Sequence, residues 1–355
     1  MQMKIGNLLS AASIAALMLG AGATWAAKPR VVILATGGTI AGAQAKGQDA
    51  GYKSGSFQVG DLIKAVPNLG DLADITGEQV VNIGSQDMNN EVWLKLAKRL
   101  NEVLAKQDVD AVVITHGTDT MEETGYFLSL VIRSAKPVVM VGSMRPATGT
   151  SADGSANIFN AVSAAVHPKA RGRGVMVLLN DEIHYAREAT KTNTTQLDTF
   201  KSPNRGKAGM TNAGRVYWYD PLASKHTAAS SFSLDGLKQL PRVEIFYAYA
   251  NVGREFIDHC VALGCKGIVL AGVGDGNATK DAVAGLQAAI KKGVAVVRSS
   301  RTNSGITDRN VELNDDEMGS IASMELNPQK ARVLLMLGLT KTSDAKKLQE
   351  YFYEY

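Results

Sequence analysis

The sequence predicts an α/β protein of two domains, a larger N-terminal and a smaller C-terminal one, each with a mostly parallel sheet flanked by helices. Three observations carry this. Short apolar runs rich in Val and Ile alternate with segments whose apolar residues recur every three or four positions, the pattern of βαβ units. The alternation breaks over residues 212–241, which are polar and turn-rich, and then resumes. The length of 355 residues, 45% apolar and 20% charged, suits two domains of ordinary size.

In chain order, residues 31–35, 80–83, 111–115, 138–141 and 175–179 read as buried strands. Between them, residues 90–106 place Trp93, Leu96, Ala97, Leu100, Val103 and Leu104 on one stripe, which predicts a helix. Residues 120–132 and 156–166 also read as helices. NAGRVYWYDPLASKH and the stretch to Pro241 read as an extended connection. Beyond it, 243–247, 267–270 and 294–298 read as strands, and 254–262, 281–291 and 327–340 as helices. The expected division is an N-terminal domain over 27–220, a linker over 221–242 and a C-terminal domain over 243–355. There is no internal repeat.

Residues 1–26 stand apart. Lys4 is the only charge before Lys28, and IGNLLSAASIAALMLGAGATWAA between them is small and apolar. This reads as a signal peptide and predicts a periplasmic or secreted protein. Its serines and glycines suit a spanning helix poorly, and no later run approaches spanning length, so no membrane partner is expected. The net charge is only +4, without a block of like charges, so no nucleic-acid partner is expected either. Cys260 and Cys265, in HCVALGCKG, leave a local disulfide open: export permits one, and the spacing makes it awkward.

The first strand runs into ATGGTIAG, residues 35–42. Three residues separate Gly38 from Gly42 where a P-loop has four, and Ala43 follows where it has lysine. Gly37, Gly38 and Gly42 do not fit a dinucleotide fingerprint either. What is left is a loop at the carboxyl end of a strand, where glycines let backbone N–H groups approach a ligand. The glycine-rich segment that follows, carrying Tyr52, is long enough to close as a lid.

Two more strand ends resemble it. AVVITHGTD (111–119) offers Thr118 and Asp119, and Asp119 with Glu122 fits a capping box. IGSQDMN (83–89) offers Ser85 and Gln86. Together they predict a small polar pocket suited to attack on a carbonyl by an activated threonine, with glycine-turn N–H groups as oxyanion donors. H-E-x-x-H and G-x-S-x-G are missing, and the five histidines show no ligand spacing, so no metal is expected.

ATGGTIAG and VVITHGTDTMEETGYF (112–127) resemble the two threonine signatures of bacterial type II, periplasmic L-asparaginases of the asparaginase/glutaminase family. The resemblance continues through GEQVVNIGSQDMN (77–89), KPVVMVGSMRP (136–146), TKTNTT (190–195), AGVGDGN (271–277), AVVRSSR (295–301) and LNPQKARVLL (326–335). It implies hydrolysis of L-asparagine to L-aspartate and ammonia without a cofactor. Thr39 would be the nucleophile and Tyr52 the lid residue that helps deprotonate it. Thr118 and Lys191 would form a second hydroxyl–amine pair. Asp119 would hold the substrate's α-ammonium and Ser85 its α-carboxylate, with Gln86 at the same end. Glu312 and Asn277 fall at positions the family supplies from a neighbouring subunit, which implies sites shared within a homotetramer built as a dimer of dimers.

Two departures bear on substrate choice and stability. Gln86 stands where the related glutaminase-asparaginases carry an acid, and Asn277 is not serine; both point to asparagine over glutamine. Neither the Ala105 nor the Ser134 region carries the cysteine that bridges them in some relatives, and the effect of Asp275 is left open. The competing readings are a dual glutaminase-asparaginase and, from another class, a periplasmic amino-acid binding protein, which would not need the Thr39–Thr118 couple.

Overall fold

The computed structural model describes residues 27–44 and 51–355, so the expected signal peptide lies outside the described residues. The N-terminal domain is built on eight strands: β1 (Arg30–Gly37), β2 (Asp74–Ile83), β3 (Ala111–Thr115), β4 (Val138–Val141), β5 (Val175–Leu179), β6 (Glu182–Tyr185), β7 (Gly209–Asn212) and β8 (Arg215–Trp218). Their order in the sheet is β8-β7-β6-β5-β4-β3-β1-β2. From β2 to β5 all neighbours are parallel. The chain leaves β1 toward one edge and returns on its other side at β3. That reversal opens a crevice beyond the carboxyl ends of β1 and β3, the usual ligand position in open α/β sheets.

The other edge is antiparallel, through two hairpins that strand periodicity does not reveal. Asn180 and Asp181 join β5 to β6 with φ of 51° and 62°, and Ala213 and Gly214 join β7 to β8 with φ of 48° and 78°. Two successive positive φ values are the signature of a tight hairpin turn. The supposed extended connection from residue 212 therefore begins with a strand.

Alternation along the strands covers both faces of the sheet. Leu34, Val112 and Ile114 face α1 (Asn90–Ala105) and α2 (Met121–Val131), while Val31, Ile33 and Val113 face the side of α3 (Gly154–Val166). The predicted stripe of α1 is buried in full. Asn89 caps its start, accepting from Val92 N–H at 3.0 Å. At its end Lys136 Nζ donates to the carbonyls of Leu104 and Lys106 at 2.9 and 2.6 Å. Asn101 adds bonds to the backbone of Val131 and Arg133. These contacts tie the Ala105 and Ser134 regions together.

The C-terminal domain has four parallel strands in chain order: β9 (Val243–Tyr247), β10 (Gly267–Gly272), β11 (Ala295–Ser300) and β12 (Ile321–Ala322). Helices α4 (Glu255–Ala262), α5 (Lys280–Lys291), α6 (Pro328–Leu339) and α7 (Ala345–Glu354) accompany them. Helix α6 packs on α2 as well as on β9 and β10. One apolar core consequently runs from Leu34 and Leu96 of the first domain to Leu334 and Phe352 of the second. Cys260 and Cys265 are buried free thiols. Burial and the neighbouring Cys265 push the Cys260 thiol up to about 12, away from thiolate chemistry. Among the described residues no helix is long and apolar enough to cross a membrane.

Candidate active site

Three strand ends meet at the crevice. After β1 the chain turns through Gly37 and Gly38, with φ of 103° and 85°, a region that side chains rarely tolerate. A Cβ on Gly38 would lie 2.4 Å from Cα and N of Gly117, so the turns after β1 and β3 touch backbone to backbone. A Cβ on Gly117 would lie 2.6 Å from Ser85 Oγ, which brings in the turn after β2. The two glycine-threonine turns are thus open because each gives up its side chains to the other.

The next residues carry the hydroxyls. Thr39, buried at the start of a short 3-10 turn (Thr39–Ala41), shares a hydrogen bond of 2.7 Å with the Tyr52 hydroxyl. Tyr52 reaches it from a two-stranded hairpin in which Ala43–Gln44 pairs with Tyr52–Lys53. Gly42 makes room for the ring, since a Cβ there would lie 2.9 Å from Tyr52 Cδ2. Tyr52 itself is 44% exposed in the isolated chain.

After β3, Thr118 is buried and its Oγ1 accepts from Lys191 Nζ at 2.9 Å. The same ammonium donates to Asp119 Oδ1 at 2.6 Å. The expected capping box does not form. Thr120, not Asp119, is the N-cap residue of α2, without a side-chain cap bond; the Asp119 carboxylate takes Lys191 instead. Ser85 Oγ accepts from Asp119 N–H at 3.1 Å, and Thr120 Oγ1 donates to Ser85 O at 2.8 Å. Gln86 is exposed and folds back over Gly84. Among the described residues, the amide N–H groups of Thr39 and Thr118 donate to no protein group.

Lys191 comes from TKTNTT, a short self-capped hairpin. Its two strand residues, Thr190–Lys191, pair with Phe200–Lys201. Asn193 Oδ1 accepts from the N–H groups of Thr195 and Gln196, and Thr199 Oγ1 donates to Asn193 O. His116, under the second turn, is fully buried, and its Nδ1 lies 2.7 Å from Gly117 O. Burial lowers its pKa to about 4, so it is a neutral part of the turn rather than a base.

Asn277 and Glu312 form a separate pair on the C-terminal domain, with Asn277 Nδ2 donating to Glu312 Oε2 at 3.0 Å. Beneath them, Arg298 and Asp315 make a fully buried ion pair of 2.6 Å. Burial alone would raise the Asp315 pKa; bonds from Arg298, Ser320 and the Asn310 N–H hold it below the usual value. Arg298 also donates to the carbonyl of Asp275 at 3.0 Å, and the Asp275 carboxylate accepts from Asp308 N–H at 2.8 Å. Asp275 therefore ties the two loops that carry Asn277 and Glu312. Among the described residues of one chain, no hydrogen bond joins this pair to the threonines.

A pair of hydroxyls, an amine and a carboxylate beyond a parallel sheet, with free backbone donors beside them, form an arrangement suited to a hydrolase that attacks a carbonyl. The family model described as "Asparaginase, N-terminal" matches residues 30–224, and "Glutaminase/Asparaginase C-terminal domain" matches 242–352. The chain is 52% identical over 328 residues to "L-asparaginase 2" of Bacillus subtilis, covering 92% of this chain and 87% of the relative. It is 50% identical over 327 residues to "Probable L-asparaginase periplasmic" of Haemophilus influenzae, covering 92% and 93%. The crystal structure titled "Probable Cytoplasmic L-asparaginase" from Campylobacter jejuni superposes with a TM-score of 0.89 at 48% identity, covering 92% of this chain and all of that one. The chain belongs to the asparaginase family of amidohydrolases.

Proposed function

We propose that the protein hydrolyses L-asparagine to L-aspartate and ammonia through an acyl-enzyme on Thr39. The observation that carries this is the adjacency of two activated hydroxyls: Thr39 bonded to Tyr52, and Thr118 bonded to Lys191, on turns that touch at Gly38 and Gly117. Thr39 Oγ1 attacks the side-chain amide carbon. Tyr52 relays its proton toward the leaving nitrogen, the C–N bond breaks and ammonia departs. Water then attacks the ester beside Thr118 and Lys191, the acyl–oxygen bond breaks, and Thr39 recovers its proton. The amide N–H groups of Thr39 and Thr118 face the oxyanion. Asp119 takes the α-ammonium, and the Ser85 hydroxyl, already accepting from Asp119 N–H, donates to the α-carboxylate.

Glu312 and Asn277 are supplied by a neighbouring subunit of a dimer within a tetramer. The protein is exported, on the strength of the leader-like residues 1–26, and N-terminal sequencing of the protein from fractionated cells tests this. The deciding assay is ammonia release from L-asparagine and L-glutamine by the wild type, Thr39→Ala and Tyr52→Phe. Release from asparagine alone, abolished in Thr39→Ala and lowered about 100-fold in Tyr52→Phe, supports the reading. Near-normal turnover by Thr39→Ala sinks the nucleophile assignment. Comparable release from glutamine makes the enzyme a dual glutaminase-asparaginase.

A further inference from the structure

Lys191 sits on a strand of only two residues, Thr190–Lys191, and so short a pairing holds no position by itself. A lysine side chain also loses much rotamer freedom when it is fixed. Something else must keep its ammonium on Thr118 and Asp119, and the start of α6 supplies it. Lys330 is buried, takes no part in the proposed chemistry, and directs its ammonium at this segment and its surroundings. Its ammonium donates to Ala189 O and to Thr190 Oγ1 at 3.4 Å, and forms an ion pair with Glu122 Oε2 at 3.5 Å. Asn327 caps α6 by accepting from Lys330 N–H at 3.1 Å. Its amide nitrogen is shared between Glu122 Oε2 at 3.0 Å and Thr190 Oγ1 at 3.3 Å. Gln329 completes the set, donating to Glu122 Oε1 at 3.1 Å.

Glu122 belongs to the first turn of α2, the helix that begins just after Thr118 and Asp119. Both sides of the Lys191 contact are therefore referred to one place: Thr190 and Glu122 are held by the same two side chains of α6. Burying an ammonium with a carboxylate gives no assured gain in stability, because desolvation offsets the attraction. What this pair does provide is a fixed distance between the residue before Lys191 and the helix after Asp119.

We propose that Lys330 and Asn327 are positioning residues for Lys191, bracing Ala189–Thr190 against α2 so that the ammonium stays on Thr118 and Asp119. This rests on the proposed role of Lys191 in turnover. The test compares Lys330→Met, Thr190→Val and Thr190→Ser with Lys191→Met in the assembled enzyme, reading kcat, KM and melting temperature. Thr190→Val removes the acceptor without altering charge, and Thr190→Ser returns it, so the proposal remains testable if Lys330→Met fails to fold. Expected are a kcat about 10- to 100-fold lower in Lys330→Met and Thr190→Val, KM within about twofold, and kcat recovered in Thr190→Ser. A merely structural role would lower the melting temperature and leave kcat of the folded enzyme unchanged; that result overturns the brace. Lys191→Met with near-wild-type kcat overturns the role of Lys191 itself, and the brace with it. An inactive Lys191→Met beside a fully active Thr190→Val overturns the brace alone.

Discussion

The carboxylate of Glu123 lies 4.0 Å from the guanidinium of Arg332, joining α2 to α6 across a cleft of about 530 Å³ lined also by Met88, Asn89, Trp93 and Thr120. The cleft shares none of Thr39, Thr118 or Lys191. Burial pushes the Glu123 pKa up to about 7, against the pull of Arg332 and with the help of Glu122. The folded protein thus binds a proton that the unfolded chain has released, from the ordinary carboxylate value up to about 7. Stability contributed by this group falls as pH rises through that window. Glu123→Gln removes the penalty. Denaturant unfolding at pH 8 is expected to show the variant more stable than wild type by roughly 3 kcal/mol, with the difference gone at pH 4. Equal stability at pH 8 would show that Arg332 fully compensates the buried charge.

Gly38→Ala is expected to cost both stability and activity. The added methyl would meet the backbone of Gly117 at 2.4 Å, where no flexible side chain can give way, and φ of 85° is itself unfavourable. A loss of roughly 2–3 kcal/mol in denaturant unfolding, with kcat falling more than KM rises, is the expected result. Gly60→Ala is the control, since a Cβ there meets nothing within 4 Å.

Glu312→Ala is expected to leave the melting temperature unchanged, because among the described residues its side chain bonds only to Asn277, in an exposed contact. Turnover should nevertheless fall if Glu312 completes a neighbour's site. The sharper measurement mixes two inactive proteins, Glu312→Ala and Thr39→Ala, under conditions that exchange subunits. Mixed dimers contain one site with both residues intact, so activity should return on mixing. Mixtures that exchange subunits and stay inactive would place both residues in one chain's site.

Lys136→Met tests the tie at the end of α1. It removes two charge-assisted bonds to helix carbonyls, which also lie at the negative end of the helix dipole. A loss of about 1–2 kcal/mol with unchanged kcat is expected from denaturant unfolding and steady-state assay.

The strands and the three turns were legible because their signals are local. Val-Ile runs mark β3, β4 and β5 to the residue, and Gly-Thr turns mark Thr39 and Thr118. What misled was local grammar with a distant competitor: Asp119 carries a capping-box pattern, but Lys191, 72 residues away, takes its carboxylate. The hairpins at Asn180-Asp181 and Ala213-Gly214 depend on backbone angles that periodicity does not encode. Helix α7 was missed because AKKLQEYFYE reads as polar until its Leu348 and Phe352 meet the core. LNPQKARVLL was conspicuous, yet nothing in it says that Lys330 is buried or that it faces Thr190. Burial of a lysine is decided by the partner surface, not by its neighbours in sequence.

The apolar core that passes from Leu34 through α2 and α6 to Phe352 has a thermodynamic consequence. Each sheet has an apolar core of its own on one face, but on the other face the two share one interior, so loss of packing in either strips apolar cover from the other. Heating should give one calorimetric transition with equal calorimetric and van't Hoff enthalpies at the level of the folded subunit. A chain cut between residues 224 and 242 would leave two fragments with opposed oily faces, soluble only when they find each other. The change of sheet along this chain is thus bridged by packing, and the single transition is the expected sign of it.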